Sequence, residues 1–385
     1  MIVVIADDLT GAAEIGGLGL RHGFSVEIVT NADFESKADI LIIAENTRSM
    51  PKKQALLKMA ELSAILYHIK PHLIFKKVDS VLRGHIVAEL KIHLHQLDLP
   101  RALLVPANPA LGRTLTDGKY FIDGRPIHLS SFADDPEFPI TSSNVYNMLR
   151  VEENELHIKT KNDELPQAGI IVGECATKDD LKTWATKTEK NILLAGGSGF
   201  FETLLENLSL KRKIQLEGNN TAVGLPALFV CGSNFNRSIQ LVEKAYDCGA
   251  PVSYMPLEII LADSPFDANI EKWANEVVSL LEKHKKAIIA VHRDSTKNRV
   301  VSAESLREKN AIAVKKIFQK IAMRELFVEG GATTAAILKH LNHNRFYPVK
   351  EYCTGVIRMS AGLTNNFFLT LKPGSYEWPS HIWPF

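Results

Sequence analysis

Short, continuous apolar runs separated by helical patterns are the feature that most limits how this chain can fold. A run such as 2–6 (Ile-Val-Val-Ile-Ala) is apolar on both sides of the pleat, so a strand made from it must be buried on both faces. Strands of that kind, alternating with helices, are typical of a parallel sheet covered on both sides. In the first part of the chain the predicted strands are 2–6, 25–30, 39–44, 72–78, 101–107 and 191–195, and the predicted helices include 51–69 and 85–97.

A second series of the same kind follows a polar stretch, rich in Gly and Asn, at 211–224. Its predicted strands are 227–232, 286–292, 325–329 and 367–371, and its predicted helices are 236–247, 266–284, 303–323 and 333–341. We therefore predict an α/β fold with two domains, 1–220 and 221–385, each with a mostly parallel sheet flanked by helices. The cleft between two such domains is the expected place for a ligand.

Charge and cysteine usage narrow the class of protein. The 45 Lys and Arg residues nearly balance the 44 Asp and Glu residues, which argues against nucleic acid or an anionic membrane as the main partner. The four cysteines form no CxxC pair, so they indicate neither a zinc ribbon nor a dithiol redox site, and they fit a reducing compartment. The apolar run 2–6 is too short for a signal peptide or a membrane span. We expect a cytoplasmic protein of small-molecule metabolism, and the sequence leaves self-association open.

Two adjacent carboxylates, Asp7 and Asp8, directly follow the first predicted strand. In open α/β sheets, ligands gather at the carboxyl ends of the strands. Two acids there can position a substrate hydroxyl, accept its proton or hold Mg²⁺. The structural alternative is that Asp8 or Thr10 only caps the next helix. A phosphatase loop is a less suitable reading, because its aspartates alternate and these are adjacent.

Asp79 and Arg83 follow the predicted strand 72–78 in the same way. The planar fork of Arg83 can bind a carboxylate through two hydrogen bonds, which suits a sugar acid. Asp79 can act as a base or hold Arg83 in place. The structural alternative is an Asp79–Arg83 salt bridge on the rim of the sheet.

Further polar residues follow two other predicted strands. Asn46 and Arg48 come after 39–44, and Asn108 comes after 101–107. Each alone is more typical of a turn than of a ligand site. Together they favour one substrate-binding edge of one sheet.

Glycine-rich turns between strand and helix recur at 196–199, 232–236 and 329–334. Such turns present backbone N–H groups and a helix N-terminus to an anion, although a tight turn with a capping residue explains the same pattern. The segment 112–119 is one residue too long for a Walker A loop and has Tyr120 at the Mg²⁺-binding position, so we reject that reading. His93 and His95 point to different faces of a helical pattern, and we expect both at the surface.

Several of these segments together resemble a known family. The motifs are DDLTG at 7–11, DSVLRG at 79–84, PAN at 106–108 with GRT at 112–114, DP at 135–136 and GG at 330–331. In this order they resemble the four-carbon acid sugar kinases. The resemblance implies an N-terminal domain that binds a sugar acid and a C-terminal domain that binds ATP. It also implies phosphorylation of acids of the threonate, erythronate or 3-oxo-tetronate class.

The resemblance assigns roles to individual residues. The ATP-contacting positions of the family match Ser233, Gly331, Ala332, Thr333, Thr334 and Gly355. Its substrate motifs include Asp8, Asp79, Arg83 and Asn108, to which position in the sheet adds Asp7, Asn46 and Arg48. The nucleotide half departs more from the family, since Ala332 stands where an acid is common and Phe235 where a small hydroxyl is common.

The resulting hypothesis is transfer of the ATP γ-phosphate to a sugar-acid hydroxyl, with Mg²⁺ offsetting the phosphate charge. Arg83 would hold the substrate carboxylate, and Asp8 or Asp79 would take the hydroxyl proton. The departures in the nucleotide half motivate an alternative, a non-catalytic sensor of sugar acids derived from such a kinase. A phosphatase or an aldolase-like lyase that uses Asp7 and Asp8 without ATP is a third reading.

Overall fold

The structure is a computed structural model with two compact units. It describes residues 1–135, 138–188, 191–209, 222–232, 235–262, 268–296, 301–362, 367–374 and 376–385. The first unit contains the described residues up to 209, apart from Glu27–Val29. The second contains Glu27–Val29 and the described residues from 222 onward.

The first unit alternates strands and helices, as the apolar runs predict. Its strands are β1 (Ile2–Ala6), β3 (Ile40–Ala44), β4 (Leu73–Lys77), β5 (Arg101–Val105), β6 (Arg113–Thr116), β7 (Lys119–Ile122), β8 (Arg125–Pro126), β9 (Leu156–Lys159), β10 (Gly169–Gly173) and β11 (Ile192–Gly196). Strand β2 (Val26–Val29) lies between β1 and β3 in the chain, but its last three residues belong to the second unit. Its helices are α1 (Leu9–Arg21), α2 (Lys52–Ile69), α3 (Ile86–Gln96), α4 (Val145–Leu149), α5 (Lys178–Thr186) and α6 (Ser198–Ser209).

The main sheet of the first unit is parallel in the order β3-β1-β4-β11-β5-β10-β9. Every residue of β1, β3 and β5 is buried, as expected for strands with helices on both faces. The chain leaves β1 toward β3 on one side and later returns to β4 on the other. The carboxyl ends of β1 and β4 therefore form a topological switch point, where open α/β sheets place their ligands.

A small antiparallel sheet, β6-β7-β8, was not predicted. Its two hairpins turn at Asp117-Gly118 and Asp123-Gly124, and all four residues have positive φ. Asp-Gly in this conformation matches the twist of a two-residue hairpin turn. The segment 112–119 is thus the start of a hairpin, and rejecting it as a Walker A loop is confirmed.

The second unit repeats the alternation of strands and helices. Its strands are β12 (Ala227–Cys231), β13 (Val252–Tyr254), β14 (Lys286–Ala290), β15 (Glu325–Glu329), β16 (Arg345–Cys353), β17 (Val356–Ala361) and β18 (Phe368–Lys372). Its helices are α7 (Asn236–Asp247), α8 (Leu257–Leu261), α9 (Ala268–His284), α10 (Arg293–Thr296), α11 (Ala303–Lys320) and α12 (Gly331–Leu341).

The strands of this unit run in the order β13-β14-β12-β15-β18-β17-β16. The five from β13 to β18 are parallel, whereas β16 and β17 form an antiparallel hairpin that was not predicted. In the 25–30 strand, Ile28 pairs with Phe346 of β16, so Glu27–Val29 group with this unit. The connections after β12 and β15 leave in opposite directions, which creates a second switch point. The mixed α/β class with mostly parallel sheets is confirmed.

Gly196, at the end of β11, is packed so closely against the neighbouring strand that a side chain there should destabilise the protein. A Cβ on Gly196 would lie 2.2 Å from the main-chain oxygen of Val105, so Gly196→Ala should lower the free energy of unfolding by about 2–4 kcal/mol. Urea denaturation measures this. Gly124→Ala is the control: a Cβ there would meet nothing within 4 Å among the described residues, so only the positive φ costs energy, about 1–2 kcal/mol. Equal losses in the two variants would contradict the packing argument.

Candidate active site

Three aspartates emerge at the switch point of the first unit. Asp7 and Asp8 directly follow β1, and Asp79 lies two residues after the end of the neighbouring β4. Since β1 and β4 pair in parallel from Ile2 to Ala6, their carboxyl ends lie side by side. The acids that follow these two strands, as the sequence predicts, therefore lie at one edge of the sheet.

Arg48, which follows β3, joins two of these acids. Its Nη1 donates to Asp79 Oδ1 at 3.0 Å, and its Nη2 donates to Asp8 Oδ2. The Arg48 side chain is 14% exposed, so the ion pairs are largely shielded from water. Burial alone would lower the pKa of Arg48, but Asp8, Asp7 and Asp79 raise it and keep the guanidinium charged.

Asp8 caps a helix and pairs with Arg48 at the same time. Its Oδ1 accepts from Gly11 N at 2.8 Å at the start of α1, and its Oδ2 also accepts from Thr10 Oγ1. The capping alternative is therefore realised, together with a position in the site. Burial acts to raise the pKa of Asp8, but Arg48 and the Thr10 hydrogen bond hold it below its ordinary value.

Asp79 holds Arg83 by a two-point contact. Arg83 Nε and Nη2 donate to the two Asp79 oxygens at 2.8 and 2.9 Å, and Arg83 N donates to Oδ2 at 3.2 Å. Leu82 between them adopts φ 64°, which closes the turn. The Asp79–Arg83 salt bridge therefore exists, but it is mostly buried rather than on an open rim. Burial opposes ionisation, yet Arg83 and Arg48 hold the pKa of Asp79 far below its ordinary range.

Arg83 has a further acidic partner that the sequence patterns did not assign. Its Nη1 donates to Asp135 Oδ2 at 2.6 Å, and its guanidinium lies 5.4 Å from the Phe132 ring centroid. Asp135 belongs to the DP motif at 135–136, which was the available signal. Pro136 lies outside the described residues.

Asp7 differs from both of its neighbours. Its side chain is buried, and neither carboxylate oxygen has a hydrogen-bond partner among the residues that the structure describes. Burial raises its pKa to about 6, with Arg48 and Lys76 acting in the opposite direction and Asp8 and Asp79 adding to the rise. Asp8 and Asp79 are therefore stabilised as anions by their partners, whereas Asp7 is not.

Other predicted residues complete this edge of the sheet. Asn108, after β5, donates from Nδ2 to Ser198 Oγ at 3.1 Å, at the first residue of α6. Arg113 and Tyr120 of the small sheet both hydrogen-bond Ser80, a contact that the sequence did not reveal because it depends on the unpredicted hairpins. Asn46 adopts φ 50°, a conformation that asparagine tolerates, as its turn reading implies.

A buried ionic cluster lies on the sheet between β4 and α3. Lys76 Nζ is 2.5 Å from Glu89 Oε2, and both side chains are almost fully buried. His93 lies beside this pair, with its Nδ1 2.6 Å from Ser63 Oγ. The expectation of a surface histidine is wrong for His93, because this face of α3 packs on the sheet, while His95 is exposed. Burial and the Lys76 charge lower the pKa of His93 to about 3, so it is neutral.

The acids at the switch point do not suit a divalent cation. Arg48 lies between Asp8 and Asp79 and already compensates their charge, where a cation would need the same oxygens. Within the described ranges, no group of three or more His, Cys, Asp or Glu residues has the arrangement of a metal site. Holding Mg²⁺ is thus the weakest of the three roles considered for Asp7 and Asp8.

The predicted anion-binding turns of the second unit meet at its own switch point. A Cβ placed on Gly232, after β12, would lie 3.4 Å from Thr333 Oγ1 in the first turn of α12. Gly330 precedes that helix with φ 88°, and Thr334 Oγ1 donates back to its carbonyl. Ser233 lies outside the described residues, and Gly355 occupies the two-residue turn between β16 and β17.

A buried ion pair supports the start of this turn. Glu329, the last residue of β15, lies 3.1 Å from Lys372 Nζ and accepts from Trp378 Nε1 at 2.8 Å. Next to the pair is a cavity of about 510 Å³, lined by Arg237, Ser238, Gln240, Leu241, Lys244, Glu329, Lys372, Tyr376, Glu377 and Trp378. The lining has three cationic and two acidic side chains: Lys372 pairs with Glu329, and Arg237 Nη1 lies 2.7 Å from Glu377 Oε1, so Lys244 leaves the lining with one net positive charge.

All four cysteines are free thiols, as their spacing predicted. Cys175 and Cys231 are buried, and burial raises the pKa of each thiol, so neither is primed as a nucleophile. Among the residues described, no helix is both long and apolar enough to span a membrane.

Comparison with known proteins agrees with this architecture. D-threonate kinase of Salmonella typhimurium is 26% identical over 344 residues, which cover 84% of this chain and 78% of that protein. 3-Oxo-tetronate kinase of Brucella melitensis is 22% identical and covers 97% and 92% of the two chains. A Haemophilus influenzae protein of solved structure superposes with a TM-score of 0.72 at 21% identity, covering 99% of this chain and 98% of its own.

The family itself is shown by a longer match. The model of the family described as "Sugar-binding N-terminal domain" matches residues 2–204, more than half of the 385 residues. The matched segment contains Asp7, Asp8, Arg48, Asp79 and Arg83, the aspartates and arginines at the first switch point. The chain therefore belongs to the four-carbon acid sugar kinase family, which carries this sugar-binding N-terminal domain.

Proposed function

We propose that this protein transfers the γ-phosphate of ATP to a hydroxyl of a four-carbon sugar acid of the threonate, erythronate or 3-oxo-tetronate class. The observation that carries the proposal is the pair of largely buried arginines, Arg48 and Arg83, held by aspartates at the first switch point. Relatives named as kinases of these acids support the same reaction.

The arginine pair favours an anionic sugar over a neutral one. Each guanidinium carries five N–H donors. Asp8 and Asp79 engage two of those of Arg48, and Asp79 and Asp135 engage three of those of Arg83. A substrate carboxylate can use the remaining donors in a two-point contact. In the sequence-based assignment Arg83 holds this carboxylate, and Asn46 and Asn108 contribute amide groups to the substrate. These roles remain predictions.

The second unit offers the groups that a nucleotide requires. Backbone N–H groups at the start of α12, together with Gly232, face the second switch point, where phosphate oxygens are favoured by the helix N-terminus. Lys244 adds positive charge along the neighbouring cavity, where Lys372 and Arg237 are paired with Glu329 and Glu377. The assigned contacts are Gly331, Ala332, Thr333 and Thr334, with Ser233 and Gly355. Mg²⁺ would arrive with the ATP phosphates as part of that substrate.

An ADP-release assay with a panel of four-carbon acids tests the function. We expect ADP release that depends on both ATP and one or more stereoisomers of threonate, erythronate or 3-oxo-tetronate. The corresponding neutral tetritols are the control and should support little turnover, since they lack the carboxylate. Calorimetric titration with a non-hydrolysable ATP analogue separates the sensor alternative, which would bind the acid and ignore the nucleotide. No ADP release with any acid would contradict the proposal.

A further inference from the structure

We propose that Asp7, rather than its neighbours Asp8 and Asp79, accepts the proton of the substrate hydroxyl during phosphoryl transfer. This role rests on the proposed kinase function and replaces the assignment of Asp8 or Asp79 as the base. It follows from how the three carboxylates at the first switch point are occupied.

The oxygens of Asp8 and Asp79 are already used. Asp8 accepts from Gly11 N, Thr10 Oγ1 and Arg48 Nη2. Asp79 accepts on both oxygens from the side chains of Arg48 and Arg83, and also from backbone N–H groups. A carboxylate that accepts several charge-assisted hydrogen bonds is stabilised as the anion. Each would have to give up ionic contacts before it could take a proton, so each is a weak base.

The carboxylate of Asp7 makes no comparable hydrogen bonds among the described residues. Neither of its oxygens has a hydrogen-bond partner within the part of the chain that the structure describes, although the residue is only 3% exposed. A buried carboxylate without partners costs several kcal/mol in general, so its presence calls for a functional reason. Its backbone oxygen accepts from Arg48 N at 3.2 Å, which fixes Asp7 against the segment that carries the arginine.

The charges around Asp7 suit a base that works near neutral pH. Burial together with Asp8 and Asp79 makes protonation easier, whereas Arg48 and Lys76 make it harder. Lys76 stays in place because it is buried and lies 2.5 Å from Glu89. The resulting pKa of about 6 leaves Asp7 ionised at neutral pH but able to take up a proton.

The step balances with the two substrates alone. The hydroxyl O–H bond breaks and its proton moves to an Asp7 oxygen, while the hydroxyl oxygen forms a bond to the γ-phosphorus. The bond between that phosphorus and the β,γ-bridging oxygen breaks, and ADP leaves with the electron pair. Asp7 then releases its proton to solvent before the next turnover.

Asp7→Asn, compared with Asp8→Asn and Asp79→Asn, tests the assignment. We expect Asp7→Asn to lower kcat by roughly 10²–10⁴-fold while the KM for the acid changes by less than about threefold. Asparagine has the same shape and removes an unpaired buried charge, so the variant should melt at or above the wild-type temperature. Asp8→Asn and Asp79→Asn break ion pairs, and we expect them to raise the KM for the acid and lower the melting temperature.

The pH dependence gives a readout that a purely structural role would not produce. In the wild type, kcat/KM should fall as the pH drops below about 6, because the base becomes protonated. The charged groups that influence the pKa of Asp7 are Arg48 and Lys76, which lower it, and Asp8 and Asp79, which raise it. The acidic limb should be absent in Asp7→Asn and retained in the other two variants.

Two results would overturn the assignment. A wild-type enzyme without an acidic limb between about pH 5 and 7 would do so without any variant. So would an Asp7→Asn enzyme that keeps at least a third of the wild-type kcat. If the wild type itself turns over none of the acids, the kinase function and this role fall together, which distinguishes that failure from a failure of Asp7 alone.

Discussion

Replacement of Arg48 by methionine should lower the free energy of unfolding by about 3–5 kcal/mol at neutral pH. Arg48 lies between Asp8 and Asp79 and near Asp7, and without it three buried carboxylates lose their shared cation. Methionine keeps most of the side-chain volume, so the loss reports on charge rather than on a cavity. Urea denaturation of both proteins at pH 7 measures the difference.

The sign of the pH dependence makes this prediction specific. In the wild type the pKa values of Asp8 and Asp79 are lowered, so their stabilisation is present above the unfolded-state pKa and is lost as the pH falls. Without Arg48, Asp79 still pairs with Arg83, but Asp8 and Asp7 lose the cation that most lowers their pKa values. Burial should then raise the pKa values of Asp8 and Asp7, and the variant should lose stability as the pH rises through them. The gap between the two proteins should therefore shrink between pH 7 and about pH 4.5.

Arg21→Met is the matched control for this experiment. Arg21 also pairs with an acid, Glu202 at 2.8 Å, but its side chain is 44% exposed. An exposed pair contributes about 0–1 kcal/mol, so Arg21→Met should unfold almost as the wild type does. If Arg48→Met lowered the free energy of unfolding no more than the control does, the buried aspartates would not depend on Arg48 for their stability.

Arg83→Ala and Gly331→Val should affect different substrates. Arg83→Ala removes the proposed carboxylate contact, and we expect kcat/KM for the sugar acid to fall roughly 10²–10³-fold. Gly331→Val places a branched side chain in the first turn of α12, where backbone N–H groups would approach phosphate, so it should mainly raise the KM for ATP. Steady-state kinetics with each substrate varied in turn measures both effects.

Arg83 also fastens the turn after β4, so its variant needs a stability control. Arg83→Lys keeps the charge but loses the planar fork that contacts Asp79 and Asp135. If the fork matters for the substrate, Arg83→Lys should resemble Arg83→Ala in kinetics at a melting temperature close to that of the wild type. Unchanged kinetics for both substrates in Arg83→Ala and Gly331→Val would refute the assignment of the two halves.

The apolar runs predicted most of the sheets, because a strand buried on both faces leaves a continuous signature. The strands 2–6, 39–44, 227–232 and 325–329 appear within one or two residues of their expected bounds. The three-stranded sheet was missed because its strands are short and polar, although its two Asp-Gly turns were visible signals. The β16–β17 hairpin was missed because β16 carries charged residues among its apolar ones.

The location of the candidate site could be predicted from the sequence, but its ion pairs and hydrogen bonds could not. Strand ends placed Asp8, Arg48 and Asp79 at one edge, since parallel strands end together. The ion pair between Arg48 and Asp8 spans 40 residues of sequence, and no local pattern encodes it. The same holds for Asp7, because a sequence cannot show which of two adjacent carboxylates lacks partners. His93 was misplaced for a related reason, since the partner that buries it belongs to another helix.

The aromatic cluster of the second unit places a tryptophan, a natural fluorophore, next to the proposed nucleotide site. The rings of Phe229 and Phe327 stack at 4.2 Å, and Trp378 and Phe385 meet Phe229 edge-on. Trp378 also donates a hydrogen bond to Glu329, the residue just before Gly330. Its indole is therefore in direct contact with the start of the proposed phosphate-binding loop. Nucleotide binding should therefore change the intrinsic fluorescence, and Trp378→Phe should silence that change. If the proposed nucleotide site is correct, titration with ATP should therefore be followed by intrinsic fluorescence without a label.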